Sequence, residues 1–169
     1  MATRDGLAYV ARAEALKTWH GMVMGLESNL QPMVSLFPRW SLKEADGRWC
    51  AAFVYYCCVT AGYGIPIRPK ECVSCNLAGC GGWEEWARAD NRIGWRTNTC
   101  LPQPGDIVIF DKVFENKAHD HIGIVLGDRG ASILTAEGNL GNVSGVVERP
   151  KDGHIRGYIS LPENFVYGG

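Results

Sequence analysis

A long uncharged segment constrains the fold of this chain more than any other feature. No charged residue lies between Trp49 and Ile67, and the segment opens with WCAAFVYYCC. A helix that is apolar on every side has no face that favours water, so it must be buried. The following stretch GYGIP, residues 62–66, supplies the glycines and the proline that commonly follow a helix end. We therefore expect the protein to enclose one helix that begins near Trp49.

A change of hydrophobic period divides the rest of the chain. Residues 5–30 carry apolar side chains at helical spacing, with Asp5 as the candidate N-cap, and residues 31–39 predict a short second helix between two prolines. Five β-rich runs separated by turn residues follow at 106–110, 121–126, 131–137, 143–149 and 154–161. Helices followed by closely spaced strands predict an α+β fold, with the buried helix packed on an antiparallel sheet or small barrel.

Length and charge exclude several classes of protein. A chain of 169 residues has the length of a single domain, 1–169. Its net charge of −1 gives no overall field to attract nucleic acid. The N-terminus lacks the features of a secretion signal and no segment is apolar enough to span a membrane, so we expect synthesis in the cytoplasm and no membrane partner.

The seven cysteines raise the question of which one performs chemistry. Without a secretion signal, they favour free thiols, a metal site or catalysis over a disulfide framework. Cys50 stands at the expected start of the buried helix, where the helix dipole stabilises a thiolate and backbone amides offer an oxyanion site. Cys57 lies about 10 Å further along the helix axis. Cys57 and Cys58 are therefore predicted to be core residues.

A histidine partner for Cys50 should lie on a rigid element. His121 opens the run HIGIVLG, and the next run ends in TAEGN, which places Glu137 and Asn139 where hairpin pairing brings them beside His121. A carboxylate or amide on the second ring nitrogen would orient the imidazole. Glu137 and Asn139 are two residues apart and would share a strand face, with Glu137 the first choice. His119 is the alternative base.

A cysteine-rich segment offers a second interpretation. Cys72 and Cys75 form a C-x2-C pair, and with Cys80 and Cys100 they could bind a structural zinc. A second C-x2-C pair is missing, so a loop of free thiols is the alternative. Three nearby tryptophans would line either a ligand groove or a satellite core: Trp83, Trp86 and Trp95.

Several short blocks resemble, in order, those of a known family. WCAAFVYYC, PGDIVIF, DHIGIV, AEGN and IRGYI resemble the blocks of the cysteine, histidine-dependent amidohydrolase/peptidase (CHAP) domain, which is related to NlpC-like cell-wall peptidases. The resemblance covers residues 45–162, with 1–44 as a helical lead-in and 68–103 as a Cys/Gly/Trp-rich insertion. It implies a papain-like α+β scaffold. Carried onto this sequence, it implies four catalytic residues: Cys50 as nucleophile, His121 as base, Glu137 as orienting carboxylate and Asn139 as supporting amide.

The resemblance also implies a function. It predicts a peptidoglycan hydrolase that cleaves amide bonds of the stem peptide, or the bond between peptide and glycan, through a thioacyl-enzyme and without a required cofactor. Such a protein would act at the cell wall after release or export, either as a phage lysin or as a toxin with a matching immunity protein. Trp49 stands where many family members have glutamine, which leaves any side-chain oxyanion donor open. The alternative is a non-enzymatic, zinc-stapled module that binds the wall or a protein.

Overall fold

The elements follow the predicted order of helices before strands. The structure, a computed structural model, describes residues 1–23 and 25–168. Its helices are α1 (Arg4–Ala15), α2 (Gln31–Val34), α3 (Leu42–Ala45), α4 (Cys50–Thr60) and α5 (Cys80–Ala89). Its strands are β1 (Gly94–Thr97), β2 (Ile107–Phe110), β3 (His121–Asp128), β4 (Ser132–Leu140), β5 (Val143–Pro150) and β6 (Ile155–Ser160).

The strands form one antiparallel sheet in the order β1-β6-β2-β3-β4-β5. The sheet is open, with β1 and β5 at its edges, so the small barrel that the sequence left as an alternative is not formed. Helix α4 packs on β3 and β4, and α1 packs against α4. The α+β class predicted from the change of period is confirmed.

Helix α4 is buried, as its uncharged sequence predicts. Phe53, Cys57 and Cys58 are fully enclosed. The helix lies close against β4 because Gly138 has no side chain: a Cβ there would lie 2.6 Å from the Phe53 Cβ and 2.8 Å from the Trp49 ring. The glycine of the AEGN block therefore sets how closely the start of α4 approaches the sheet.

The first helix is shorter than predicted and is capped by a different residue. It ends at Ala15 rather than near residue 30, and the Thr3 hydroxyl, not Asp5, accepts the capping hydrogen bond. The chain leaves the helix because Trp19 pairs with Ser144: the Trp19 amide donates to the Ser144 Oγ at 2.8 Å, and the Ser144 amide donates to the Trp19 carbonyl at 2.8 Å. These tertiary hydrogen bonds outweigh the helical preference of the sequence.

The cysteine-rich segment contributes buried side chains to the main core. It contains α5 and also β1, an edge strand that the sequence did not predict and that pairs with β6. Trp83 and Trp86 are fully buried in the main hydrophobic core, so these two residues form neither a ligand groove nor a separate satellite core. Trp95 is partly buried, with the Arg88 guanidinium 4.4 Å from its ring centre. Among the described residues, no helix has the length and apolar character needed to cross a membrane.

Candidate active site

Cys50 is the first residue of α4, and the loop before it is fixed from outside the helix. No side chain caps the helix, so its first amide groups are free of a capping bond. The buried Trp49 donates its indole N–H to the Asn142 Oδ1 at 2.9 Å, and the Gly47 amide donates to the same oxygen at 3.0 Å. Asn142 lies in the turn between β4 and β5. The sheet thereby holds the start of α4 in place.

His121 is the first residue of β3 and is completely buried. Its ring stacks on the Phe110 ring with centroids 5.8 Å apart. It also meets the Phe114 ring edge to face, with centroids 4.5 Å apart. Its Nε2 lies 2.6 Å from the Glu137 Oε1. Nδ1 has no hydrogen-bond partner by strict geometry among the described residues, which leaves it as the nitrogen available to Cys50.

The loop that carries Phe114 is held by the residue just before the histidine. The Asp120 carboxylate accepts hydrogen bonds from the backbone amides of Val113 at 3.1 Å, Phe114 at 2.8 Å and Glu115 at 2.8 Å. Burial works against the charged form of Asp120, but these amides outweigh it and lower the pKa of the carboxyl group. The result is a fixed aromatic cover over His121.

Glu137 is fully buried, and both of its oxygens are occupied. Arg149 on β5 binds it with two hydrogen bonds, from Nε to Oε2 at 2.9 Å and from the terminal nitrogen to Oε1 at 2.6 Å. Thr135, two residues earlier on the same face of β4, donates its hydroxyl to Oε2 at 2.5 Å. Burial alone would raise the pKa of Glu137, but the bonds from Arg149 and His121 lower it to about 2.

The histidine and the cysteine stabilise each other's charged forms. Burial opposes the imidazolium, yet the nearby Cys50 thiol and the Glu137 carboxylate raise the pKa of His121 to about 9. The Cys80 thiol, whose sulfur is 3.7 Å from the Cys50 sulfur, and then His121 lower the pKa of Cys50 to about 5 against the effect of burial. A thiolate and an imidazolium are therefore the favoured pair around neutral pH.

The three cysteines of α4 are chemically different. Cys57 and Cys58 are fully buried, and burial raises the pKa of both thiols well above the ordinary value. Cys50 is only partly buried and faces a histidine. Within this helix, only Cys50 combines access with a stabilised thiolate.

Asn139 does not share the position of Glu137. The pairing register of β4 shifts between Glu137 and Leu140, and Asn139 has a left-handed φ of 63°. Its side-chain amide donates to the Gly47 carbonyl at 2.9 Å, in the loop before the nucleophile. The expectation that Glu137 and Asn139 face the same side is wrong, because alternation of side chains holds only in a regular strand. Glu137 contacts the histidine, and Asn139 supports the loop.

Comparison with known proteins supports the resemblance from WCAAFVYYC to AEGN, whereas the IRGYI block lies outside the matched segment. Residues 43–139 match the CHAP domain, a segment that includes more than half of the 169 residues. The chain belongs to the CHAP domain family. Membership indicates peptidoglycan amidase or peptidase activity in general. A search of curated proteins and a search of solved structures gave no significant match.

Three polar contacts of this CHAP site were missed by the sequence analysis. Thr135 could have been found, because its spacing of two from Glu137 on a strand places both on one face. Arg149 required the pairing of β4 with β5, which the sequence does not give residue by residue. Cys80 was interpreted as a zinc ligand or as a free loop thiol, and neither interpretation placed its sulfur 3.7 Å from the Cys50 sulfur.

The four zinc candidates are not grouped as metal ligands in the part of the chain that the structure describes. Within residues 1–23 and 25–168, no three His, Cys, Asp or Glu side chains are grouped so as to hold a metal ion. The Cys72 thiol donates to the Gly82 carbonyl at 3.3 Å, and Cys80 faces Cys50 instead of the C-x2-C pair. Free thiols, the alternative interpretation, describe all four residues: Cys72, Cys75, Cys80 and Cys100.

Cys50 opens into a cleft of about 720 Å³. Charged side chains of both signs line it, namely Arg48, Lys117, Glu115 and Asp120. His119 lines the same cleft, but His121 is the histidine that lowers the pKa of the Cys50 thiol. A neighbouring cleft of about 880 Å³ shares Arg48 and Ala78 and adds aromatic and basic residues: Phe37, Trp40, Arg39 and Lys43.

Proposed function

We propose that this protein is a cysteine amidase or endopeptidase that hydrolyses amide bonds of bacterial peptidoglycan. One observation carries the proposal: a buried series of hydrogen-bonding groups runs from Arg149 through Glu137 and His121 to the Cys50 thiol at the floor of an open cleft. This is the arrangement of nucleophile, base and orienting group that acyl transfer requires. We also infer a papain-like scaffold from this arrangement, because the cysteine stands at a helix start and the histidine lies on the sheet.

The first step is attack by sulfur. The Cys50 thiolate adds to the carbonyl carbon of the scissile amide, and the imidazolium of His121 donates its Nδ1 proton to the leaving nitrogen. The C–N bond breaks and a thioester to Cys50 remains. Neutral His121 then takes a proton from water, the resulting hydroxide attacks the thioester, and the thiolate leaves. Glu137 stays ionised throughout and holds the ring, because Arg149 keeps its pKa near 2.

The backbone amides at the start of α4 are the groups best placed to stabilise the oxyanion formed in each step. The helix has no side-chain cap, and its first intrahelical hydrogen bond is donated by the Phe53 amide to the Trp49 carbonyl. The amides before Phe53 therefore have no helical acceptor. The Trp49 indole N–H is already bonded to Asn142 and buried, so it is not free to replace a glutamine donor. Backbone amides supply the oxyanion site in this proposal.

The two adjoining clefts suit a peptide attached to a sugar. Stem peptides carry free carboxylates, which the cations Arg48 and Lys117 would bind near the nucleophile. Trp40 in the second cleft offers a flat ring on which a sugar can pack, with Arg39 and Lys43 beside it. This supports a substrate in which the cleaved amide lies close to the glycan.

The protein would meet its substrate at the cell wall. We propose a phage-lysin-like role or that of an exported wall-degrading toxin, and the two differ in their partners. A toxin requires an immunity protein that protects the producing cell, and the cleft around Cys50 is where such an inhibitor would bind. A lysin requires none.

The test is digestion of purified peptidoglycan by the wild type, Cys50→Ala and Cys100→Ser. Cys100 is partly exposed, and replacing it removes one thiol without altering the site, so it is the matched control. We expect soluble fragments from the wild type and the control, and none from Cys50→Ala. Fragment masses identify the cleaved bond. Equal product from all three proteins would overturn the proposal.

A further inference from the structure

A second thiol lies against Cys50, where it helps to lower the pKa of that thiol but forms and breaks no bond in the hydrolysis described above. The Sγ atoms of Cys50 and Cys80 are 3.7 Å apart although the residues are separated by 30 positions. Cys50 begins α4 and Cys80 begins α5, and neither helix has a side-chain cap. Two helix N-termini therefore meet at a pair of sulfur atoms.

We propose that Cys50 and Cys80 form a reversible redox pair, in which oxidation by a hydroperoxide links them as a disulfide and removes the nucleophile. A disulfide requires a sulfur separation of about 2.05 Å. From 3.7 Å the sulfurs must approach by less than ~2 Å, a distance within reach of side-chain rotation and small backbone shifts. Both residues also border the same cleft, so a small oxidant reaches the pair from solvent.

The oxidation balances without any other reactant. The Cys50 thiolate attacks the O–O bond of the hydroperoxide and becomes a sulfenic acid, and after protonation an alcohol, or water from hydrogen peroxide, leaves. The Cys80 sulfur then attacks the Cys50 sulfur, the S–S bond forms, the S–O bond breaks and water leaves. Two electrons pass from the two thiols to the peroxide. A dithiol reductant reverses the change by thiol–disulfide exchange.

The reaction should select this pair among the seven cysteines. Cys50 is the thiol with a stabilised thiolate, which is the form that reacts with peroxide. Cys57 and Cys58 are fully buried in the core. Cys75 is the one rival for Cys80, since its sulfur packs under the start of α5, 2.8 Å from where a Cβ on Gly79 would lie. A Cys75 variant therefore belongs in the test.

The decisive measurement is mass spectrometry of the purified wild type, Cys75→Ser and Cys80→Ser after exposure to one equivalent of hydrogen peroxide and alkylation of the remaining thiols. We expect the wild type and Cys75→Ser to lose two hydrogens and two alkylation sites. Trypsin leaves Cys50, Cys57 and Cys58 in one peptide and Cys72, Cys75 and Cys80 in another, so fragmentation spectra must locate the bond. A wild type that retains all its alkylation sites, or a bond that joins other cysteines, would overturn the proposal.

Activity provides the second readout, and only this readout rests on the proposed function. Peptidoglycan hydrolysis by the wild type should fall in proportion to the disulfide formed and return after dithiothreitol treatment. Cys80→Ser exposed to excess hydrogen peroxide should not recover. Without a resolving thiol, a second peroxide molecule oxidises the Cys50 sulfenic acid to the sulfinic acid and leaves as water, and dithiothreitol does not reduce the sulfinic acid. Equal recovery of both proteins would contradict the switch. A Cys50/Cys80 bond in a protein whose Cys50→Ala variant is as active as wild type would refute the proposed function and leave the redox pair intact.

Discussion

Two of the buried glutamates, Glu84 and Glu137, lie in similar clusters of charge but have different roles. Glu84 on α5 accepts hydrogen bonds from Arg88 at 2.8 Å and from Arg156 at 2.7 Å. Glu137 on β4 is bound by Arg149 and by His121. In each case burial opposes the charged carboxylate and the partners outweigh it, so the pKa of each glutamate is lowered.

The difference lies in the second partner of each carboxylate. Both partners of Glu84 are arginines, which keep their charge at any physiological pH, and their side chains are 53% and 31% exposed. That cluster fastens α5 to β6 and has no proton to exchange. Glu137 instead faces a fully buried histidine whose other nitrogen is available to a thiol. A buried carboxylate becomes chemically useful here because one of its partners can titrate.

The largest difference between the clusters should follow removal of that titrating partner. We expect His121→Ala to lower kcat/KM for a defined stem-peptide substrate by about 10⁴-fold, since both thiolate formation and proton transfer to the leaving group are lost. Arg156→Ala, the matched change in the Glu84 cluster, should lower it less than about threefold. Similar losses in the two variants, with both proteins folded by circular dichroism, would remove the distinction.

Replacing each glutamate by glutamine tests the same comparison at the carboxylates themselves. Glu137→Gln keeps the shape of the side chain but leaves His121 without a negative charge to stabilise its protonated form. We expect a loss in kcat/KM of about 10²-fold to 10³-fold. Glu84→Gln should stay within about threefold of wild type. A Glu137→Gln enzyme with wild-type kinetics would show that the hydrogen bond to His121 has no role in turnover.

The sequence predicted that Cys50, His121 and Glu137 lie close together, but it did not predict the residues that support them. These three residues were predictable because each lies near the end of an element whose hydrophobic period is clear in the sequence. Cys50 begins a helix, His121 begins a strand and Glu137 lies near the end of a strand. Arg149 and Cys80 were not, because their contacts depend on strand register and on where α5 packs. Asn139 was predicted on the wrong face because a local bulge with a left-handed residue interrupts the strand.

The pH dependence of activity provides a further contrast. Below the pKa of Cys50, about 5, the nucleophile is protonated, and above the pKa of His121, about 9, no proton remains for the leaving nitrogen. We therefore expect kcat/KM to rise through about 5 and to fall through about 9. Glu137→Gln should move the upper limb down by about one unit, because Glu137 raises the pKa of His121. Glu84→Gln should leave both limbs in place; a shift in that variant would argue against the comparison.

Replacing an arginine by lysine in each cluster should distinguish the two clusters by a smaller difference in kcat/KM. Arg149 holds Glu137 with two hydrogen bonds, and Lys cannot reproduce this fork. We expect Arg149→Lys to lower kcat/KM about 10-fold and to destabilise the protein by about 1 to 3 kcal/mol in urea unfolding. Arg88→Lys, on an exposed side chain, should change neither by more than about twofold or 0.5 kcal/mol. Equal behaviour of the two lysine variants would mean that the paired geometry at Glu137 is not needed.

The smallest effect is expected at Asn139, which lies beside the Glu137 cluster without joining it. Its amide supports the Gly47 carbonyl in the loop before Cys50, and its backbone is left-handed at φ 63°. Asn139→Gly removes the amide and tolerates that backbone, whereas Asn139→Ala removes the amide and adds strain of about 1 kcal/mol. We expect about a threefold loss of kcat/KM in both variants, with only Asn139→Ala clearly less stable to thermal unfolding. A loss above about 100-fold in Asn139→Gly, at unchanged stability, would place the amide among the groups that act on the reacting atoms. The distinction between Glu137, which orients His121, and Asn139, which supports the loop, would then be wrong.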